Sequence, residues 1–349
     1  MATSGTSRPT IYDVAQEAGV SKSLVSLVLN DSPLVSDPKR AAVQRAIEKL
    51  GYRRSRNAAS LARHRSHTVG LVVDDFENPW FAPLLHGLRE TLAPHGLHVA
   101  IRDQQPVQGR PVNAIEDFLE SEVDALVVAA EPGRDFDDPG VPTVVESTRL
   151  NTIAGADLVS SDQLAGARLA VDHLAGLGHR EIGHVSGRGG AAATRCRGYQ
   201  QGMEAHGLTP RIAGTREDTT EEGGYRGSLE LLHENPQITA IFTANDTMAM
   251  GAWAALREHG HHTPPQVALV GYDNSPAARS HLLDLTTVDP RNHDVGVLAA
   301  ETLLRRMADP SRPPEQLQVI PELAIRSSSG AARSAPGGHT RDDFICPDK

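Results

Sequence analysis

The feature that most limits how this chain can fold is an alternation. Short apolar runs occur at Val69–Val73, Val99–Ile101, Ala125–Ala129, Thr143–Val145, Ile182–Val185, Ala240–Thr243 and Val267–Tyr272. Amphipathic stretches such as Phe81–Leu92 and Asp162–Leu177 lie between them. Strands that alternate with helices predict parallel sheets joined by helical crossovers. Two such sets, before and after about residue 161, predict two similar doubly wound sub-domains. With 349 residues, more than one compact core usually holds, a further folding unit is expected outside this stretch.

Open parallel sheets bind ligands beyond the carboxyl ends of their strands, so polar residues directly after the apolar runs are the ones to examine. They are Asp74, Asn245, Asp246 and Asp273. Trp80 and Phe81 open the first body helix, and Arg195 lies just ahead of "GYQQG". Carboxylates and amides accept or bridge hydroxyls, a guanidinium grips in a fork, and an aromatic face stacks on a ring. The set suits a small polar ligand such as a sugar. Strand-end Asp and Asn also serve as turn and cap residues. Taken singly, that structural role is the commoner one, and Asp246 is read as architectural.

The N-terminal segment differs in charge and in pattern. Residues 1–65 carry eleven Lys and Arg against five Asp and Glu. That net of +6 leaves −16 on the remaining 284 residues of a chain whose formal charge is −10. A basic head on an acidic body points to a polyanion as the head's partner, although a solvated basic surface would show the same totals. Thr10-Ile-Tyr-Asp13 has capping-box spacing, and Ile11, Val14, Ala15 and Ala18 follow helical periodicity to Gly19. Ser21 caps a second helix running to about Asn30. A third opens at Ser36 with Asp37 and Pro38 and ends at Gly51. Two short helices around a tight glycine turn, with a third behind them, form a helix-turn-helix pattern. On a wheel of about 100° per residue, Leu24, Val25, Val28 and Leu29 share one arc. Lys22, Ser23, Ser26 and Leu27 share the other, which in such motifs enters the major groove. Lys reaches guanine acceptors or phosphate, Ser pairs with several base edges, and Leu27 offers only apolar contact.

After Gly51 the stretch "YRRSRNAASLARHRSHT" holds a short Ala-rich segment from Ser55, with Arg56, Asn57, Ala58 and one large apolar residue, Leu61. It is too short to be a stable helix alone. Two readings stay open: a helix that orders against a minor groove with Leu61 as wedge, or a flexible basic linker.

Several classes are excluded or disfavoured. No apolar run reaches membrane-spanning length, and the first residues lack the apolar core of a signal peptide. Cys196 and Cys346 make neither a disulfide framework nor a zinc cluster, which fits a cytoplasmic protein. Ser36-Asp-Pro-Lys39 has a penicillin-enzyme spacing without partner motifs. "GRGGAA" from Gly187 is not a dinucleotide fingerprint. His259, His261 and His262 read as a solvated loop, with metal binding a minor alternative. No nucleophile–base constellation is present, so an enzyme is not expected, nor a cofactor or a metal. The tail "SSSGAARSAPGGHTRDDFICPDK" has the composition of a disordered segment.

The stretch "TIYDVAQEAGVSKSLVSLVLNDSPLVSDPKRAAVQRAIEKLGYRRSRNAASLA" resembles the DNA-binding head of the lactose-repressor (LacI/GalR) family of bacterial transcription regulators. The resemblance continues through "VGLVVDDFENPWFAPLLHGL", "VSSDQLAGARLAVDHLAGLGHREIGHVSG", "RCRGYQQGM", "AIFTANDTMAMGAWAAL", "VALVGYDN" and "LTTVDP", covering about residues 9–328. It implies recognition roles for Lys22, Ser23 and Leu27. Tyr12, Ser21, Ser26, Asn30 and Ser36 fall at phosphate-contacting or capping positions, and Arg56, Asn57, Ala58 and Leu61 at hinge contacts. Arg195 and Asp273 match the usual effector contacts, with Asn245, Asp74, Trp80 and Phe81 beside them. Thr219 stands where relatives often hold an aromatic. Two departures stand out: the family usually has Arg at the position of Leu27, and Pro-Asn at Arg54-Ser55.

The expected fold class is α/β. A helix-turn-helix head at 9–54 and a hinge helix with linker at 55–67 precede a periplasmic-binding-protein-like body at 68–328. The body's sub-domains are about 68–161 with 291–319, and 162–290 with 320–328; residues 1–8 and 329–349 are expected to be disordered. The expected function is sequence-specific DNA binding, most simply as a repressor. The expected partners are a near-palindromic double-stranded operator, a sugar-like effector bound between the sub-domains, and a second copy of the chain. The rivals are a solute-binding protein of sugar transport and an enzyme on the same doubly wound fold.

Overall fold

The computed structural model describes residues 9–29, 32–52, 66–78, 80–106, 110–133, 136, 138–147, 149–260 and 267–330. They belong to two compact units that divide after Ser66. In the first, α1 (Ile11–Ala18), α2 (Lys22–Leu29) and α3 (Asp37–Leu50) form three short helices. The capping box is present: Thr10 N donates to Asp13 Oδ2 at 2.7 Å, and Asp13 N donates back to Thr10 Oγ1 at 3.4 Å. Gly19 (φ 64°) and Gly51 (φ 59°) end α1 and α3 in the left-handed conformation that glycine adopts without strain. Val14, Val25, Val28, Val43 and Ala46 close a small core, with Leu24 and Leu29 at its edge. Lys49 Nζ, 2.7 Å from Glu17 Oε1, ties α3 to α1.

The second unit holds two six-stranded sheets. The first runs β11-β5-β4-β3-β1-β2, from β1 (Thr68–Val73), β2 (His98–Asp103), β3 (Ala125–Ala129), β4 (Thr143–Glu146), β5 (Asp157–Ser161) and β11 (Gln316–Val319). Every pairing in it is parallel. The second runs β12-β10-β9-β8-β6-β7, from β6 (Ile182–Val185), β7 (Arg211–Ala213), β8 (Ala240–Thr243), β9 (Ala268–Tyr272), β10 (Thr286–Asp289) and β12 (Glu322–Ala324). It is parallel except for the edge strand β12. The first sheet is covered by α4 (Phe81–Leu92), α5 (Ala114–Glu120) and α10 (Asn292–Ala308). The second is covered by α6 (Gln163–Gly176), α7 (Gly190–Ala205), α8 (Glu221–Glu234) and α9 (Asp246–Glu258). Apolar side chains from both faces of each sheet are fully buried, as crossover topology requires.

The chain passes between the sheets three times: from β5 into α6, from β10 into α10, and from β11 into β12. Two devices hold α10 on the first sheet. Gly87 of α4 and Gly296 of α10 let the helix backbones touch; a Cβ on Gly87 would lie 2.2 Å from the His293 carbonyl oxygen, and one on Gly296 2.2 Å from that of Leu84. Arg306 then grips Asp157 of β5 in a buried fork, with Nε–Oδ2 at 2.6 Å and Nη2–Oδ1 at 2.8 Å. Burial opposes the charge on Asp157, but the bonds from Arg306 and from Glu315 N hold its pKa below the ordinary value.

Five strands, β5, β7, β10, β11 and β12, carry no apolar run that marks them in the sequence. β10 reads Thr-Thr-Val-Asp and is nevertheless buried, because Thr287 Oγ1 donates to Asp246 Oδ1 (2.6 Å) and Thr286 Oγ1 to the Arg326 carbonyl (2.9 Å). Ser329, assigned from the sequence to the tail, is buried as well. Its Oγ lies 2.8 Å from both His173 Nε2 and Thr286 Oγ1. Residues 1–8 and 331–349 lie outside the described residues.

Candidate effector cavity and nucleic-acid face

In the head, burial of Val25 and Val28 fixes the rotation of α2. Lys22 and Ser23 are exposed, Ser26 is half-buried, and Leu27 is exposed although apolar, at 40%. Ser21 Oγ accepts from Leu24 N at 3.3 Å and caps α2. Ser36 is exposed at the start of α3, and its side chain makes no cap bond there. Lys22 Nζ lies 4.9 Å from the centroid of the Tyr12 ring and donates to its hydroxyl at 3.2 Å. Tyr12 and Leu34 join Leu27 as large apolar side chains exposed on the head. Asn30, Arg56, Asn57, Ala58 and Leu61 lie outside the described residues.

In the body, a cavity of about 870 Å³ opens between the carboxyl ends of the two sheets. Asp74 reaches it from the end of β1, Glu131 from β3 and Arg149 from β4. Asn245 reaches it from β8 and Asp273 from β9, with Thr219 in the loop after β7 and Arg195 on α7. Trp80, at the start of α4, is held by its carbonyl, which accepts from Asn292 Nδ2 at 3.2 Å. Phe81 does not line the cavity; it packs edge-on against Phe76, ring centroids 5.9 Å apart, over the core of the first sheet. Asp246 is buried beneath β10 and accepts from Ser275 N (2.7 Å) and Thr287. Burial pushes its carboxyl up to about 7.

Arg195 is fixed on every side. Its Nε donates to Gln163 Oε1 (2.6 Å), Nη1 to the Ala244 carbonyl (2.6 Å) and Nη2 to Asp273 Oδ1 (3.3 Å), while the guanidinium stacks 3.7 Å from the Tyr272 centroid. Asp273 sits in a left-handed backbone turn (φ 109°) that aims its carboxylate at the cavity. Burial pushes that carboxyl up to about 6, against the pull of Arg195. Asn245 caps α9 through Met248 N (2.7 Å) and donates to the Thr219 carbonyl (3.0 Å). That bond positions the loop carrying Thr219.

A second charged group across the cavity escaped the sequence reading. Arg149 is almost fully buried and donates to Glu146 through its carbonyl and its Oε2, both at 2.9 Å, and its Nη1 lies 3.6 Å from Asp74 Oδ2. Burial pushes Glu146 up to about 7, with Arg149 opposing. Glu131 accepts from Leu150 N (2.8 Å) through Oε2 and from Gly190 N (2.6 Å) through Oε1. The second bond spans the cleft, since Gly190 begins α7. Gly189 provides no side-chain cap there, so a carboxylate of one sub-domain meets the positive helix end of the other. Thr247 Oγ1 donates across the same cleft to Asn78 Oδ1 at 3.2 Å. Glu131 stands two residues beyond β3, as Asn245 does beyond β8, and Arg149 three beyond β4, farther than the strand-end rule reaches.

The sequence matches the description "Bacterial regulatory proteins, lacI family" over residues 10–55 and "Periplasmic binding protein-like domain" over 171–329. It is 30% identical over 329 residues to the ribose operon repressor of Escherichia coli, covering 92% of this chain and 99% of that one. Among solved structures, a transcriptional regulator CelR–cellobiose complex is 29% identical with a TM-score of 0.65, covering 92% of this chain and all of that one. The lac repressor dimer bound to operator and the anti-inducer ONPF is 25% identical with a TM-score of 0.75, covering 93% of this chain and all of that one. Head, paired sheets and cavity therefore belong together: the chain is a member of the LacI family of bacterial regulatory proteins, a sequence-specific DNA-binding transcriptional regulator and not an enzyme.

Proposed function

We propose that the chain is a repressor that binds a near-palindromic operator as a homodimer in the cytoplasm and answers to a neutral, polyhydroxylated effector of the sugar class. The observation that carries the effector class is the balance of charge around the cavity. Among the described residues, seven carboxylates line it (Asp74, Asp75, Glu77, Glu131, Asp218, Glu221 and Asp273) against three guanidiniums, those of Arg149, Arg188 and Arg195. Such a wall repels phosphates and carboxylic acids. It offers acceptors to hydroxyl groups, with fixed donors between them. Trp80 supplies the one aromatic face among the described lining residues, and Thr219 adds no second one. Relatives named for a ribose operon or solved with cellobiose support the class without choosing the sugar.

In the DNA-bound state Lys22, Ser23 and Leu27 face base edges. Tyr12, Ser21, Ser26, Asn30 and Ser36 lie along the phosphates, and the hinge with Arg56, Asn57, Ala58 and Leu61 enters the minor groove. Effector binding changes the angle between the sub-domains, and so the spacing of the two heads. It does this through unequal affinity for the two arrangements. The chain has two tryptophans, Trp80 and Trp253, and Trp253 packs against the core of the second sheet. A sugar panel read by tryptophan emission tests the class directly. A ligand should shift emission in the wild type, lose that signal in Trp80→Phe, and bind at least tenfold more weakly to Arg195→Ala, which keeps its operator affinity. Saturable binding of sugar phosphates in preference to neutral sugars would overturn the class.

A further inference from the structure

We propose that His86, Glu90 and His293 form a site for one divalent transition-metal ion of the zinc type on the outer surface of the first sub-domain. His86 and Glu90 stand four residues apart on α4, so they share a face. His293 comes from the first turn of α10, more than two hundred residues further on. Packing brings them together: His86 Nδ1 is 3.4 Å from Glu90 Oε1, and His293 Nε2 is 2.8 Å from Glu90 Oε2. The three ligand atoms all lie within 4.8 Å of one another. A tetrahedral zinc ion with bonds of about 2.0–2.1 Å needs donors roughly 3.3 Å apart. Small rotations of exposed side chains meet that requirement.

Three further features separate this cluster from a chance meeting of surface charges. The helices that carry it cannot slide, because the Gly87 and Gly296 contacts lock α4 on α10 at the same crossing, and the His293 carbonyl is itself part of that contact. The ring of His293 is oriented from behind: its Nδ1 lies 3.4 Å from Asp294 Oδ1, and Asp294 Oδ2 is held at 2.7 Å by the Arg291 guanidinium. A carboxylate behind a histidine that turns its other nitrogen toward the ion is a common support in zinc sites. The donor set also selects. Two imidazoles with one carboxylate suit Zn2+, Co2+ or Ni2+, whereas Mg2+ and Ca2+ call for mainly oxygen ligands. Three protein ligands leave the remaining positions to water or to a group from another molecule. An ion here staples α4 to α10 directly after the chain crosses from β10 into the first sub-domain.

The test uses tag-free full-length protein stripped with a chelator and titrated with Co2+, whose visible absorption reports coordination, followed by displacement with Zn2+. One Co2+ per chain is expected, with affinity at least tenfold weaker in both His86→Gln and His293→Gln, and unchanged when His259, His261 and His262 are replaced by Ala. Asp294→Asn should weaken binding while leaving one ion per chain. Circular dichroism of each variant confirms that the fold is retained. Failure to saturate at one ion per chain overturns the site. So does binding that survives both the His86 and the His293 replacements.

Discussion

Leu27 is exposed although apolar, because Val25 and Val28 on the opposite arc of α2 are buried. An apolar side chain in the major groove discriminates through the thymine methyl, whereas an Arg forks onto guanine. Leu27→Arg should therefore move the preferred base at one operator position toward guanine, by about 1–3 kcal/mol, in a competition assay over randomised half-sites. An unchanged preference would remove Leu27 from the base-reading set. A second single-residue effect lies in the core of the second sheet. His184 is fully buried between the rings of Tyr199 and Phe242, with Nδ1 2.9 Å from the Phe242 carbonyl, and burial pulls its pKa down to about 4. The folded state binds the proton less well than the unfolded chain. The contribution of the neutral ring is thus complete above about pH 6.5 and fades as pH falls toward 4. Measured by urea unfolding, the stability of the wild type relative to His184→Phe should drop by about 1.4 kcal/mol per pH unit across that window. A constant difference would mean that His184 does not stay neutral. The outward direction of Leu27 was legible from helical periodicity alone. The partners of His184 and the Arg149–Asp74 pair were not, because each joins residues whose meeting depends on strand order.

Elements built from apolar runs declared themselves in the sequence, and those stabilised by side-chain hydrogen bonds did not. β1, β3, β8 and β9 could be read directly, whereas β10 and β5 are threonine- and serine-bearing strands whose polarity is satisfied inside the fold. Among the cavity residues, Asp74, Asn245 and Asp273 were found and Glu131 was missed, although β3 itself was read. Glu131 stands as far beyond β3 as Asn245 does beyond β8, and what hides its role is that its partners, Leu150 N and Gly190 N, are backbone groups without a sequence mark. Helix packing carries its own prediction. Gly296 sits where a Cβ would lie 2.2 Å from the Leu84 carbonyl oxygen, backbone against backbone, with no side chain to yield. Gly296→Ala should destabilise the body by about 1–3 kcal/mol and lower the thermal midpoint, while Gly176→Ala, with open space around it, should not. Equal midpoints would show that α4 and α10 can part at little cost.

For the molecule as a whole, charge is arranged to make binding to DNA the head's task. The first 65 residues carry +6 and the rest −16, so the body is repelled by the duplex that the head attracts. Operator affinity should then fall steeply with salt, by about 10³-fold or more between 50 and 200 mM if six or more phosphates are neutralised by a pair of heads. Fluorescence anisotropy with a labelled operator reads this directly, and a flat salt response would remove electrostatics from the account. No helix among the described residues is long and apolar enough to cross a membrane.

The threefold passage of the chain between its sheets also governs how the protein can be made. The first sheet lacks β11 and the helix that covers it until residues 292–319 exist, and the second lacks β12 until 322–324. A ribosome therefore releases a complete head long before either half of the cavity can close. A chain cut short before residue 292 keeps the three head helices and every residue that lines the cavity, but lacks the helix and the two edge strands that complete the sheets holding those residues in place. A stop codon ahead of the last sixth of the coding sequence should thus yield a complete head joined to a body whose sheets cannot close.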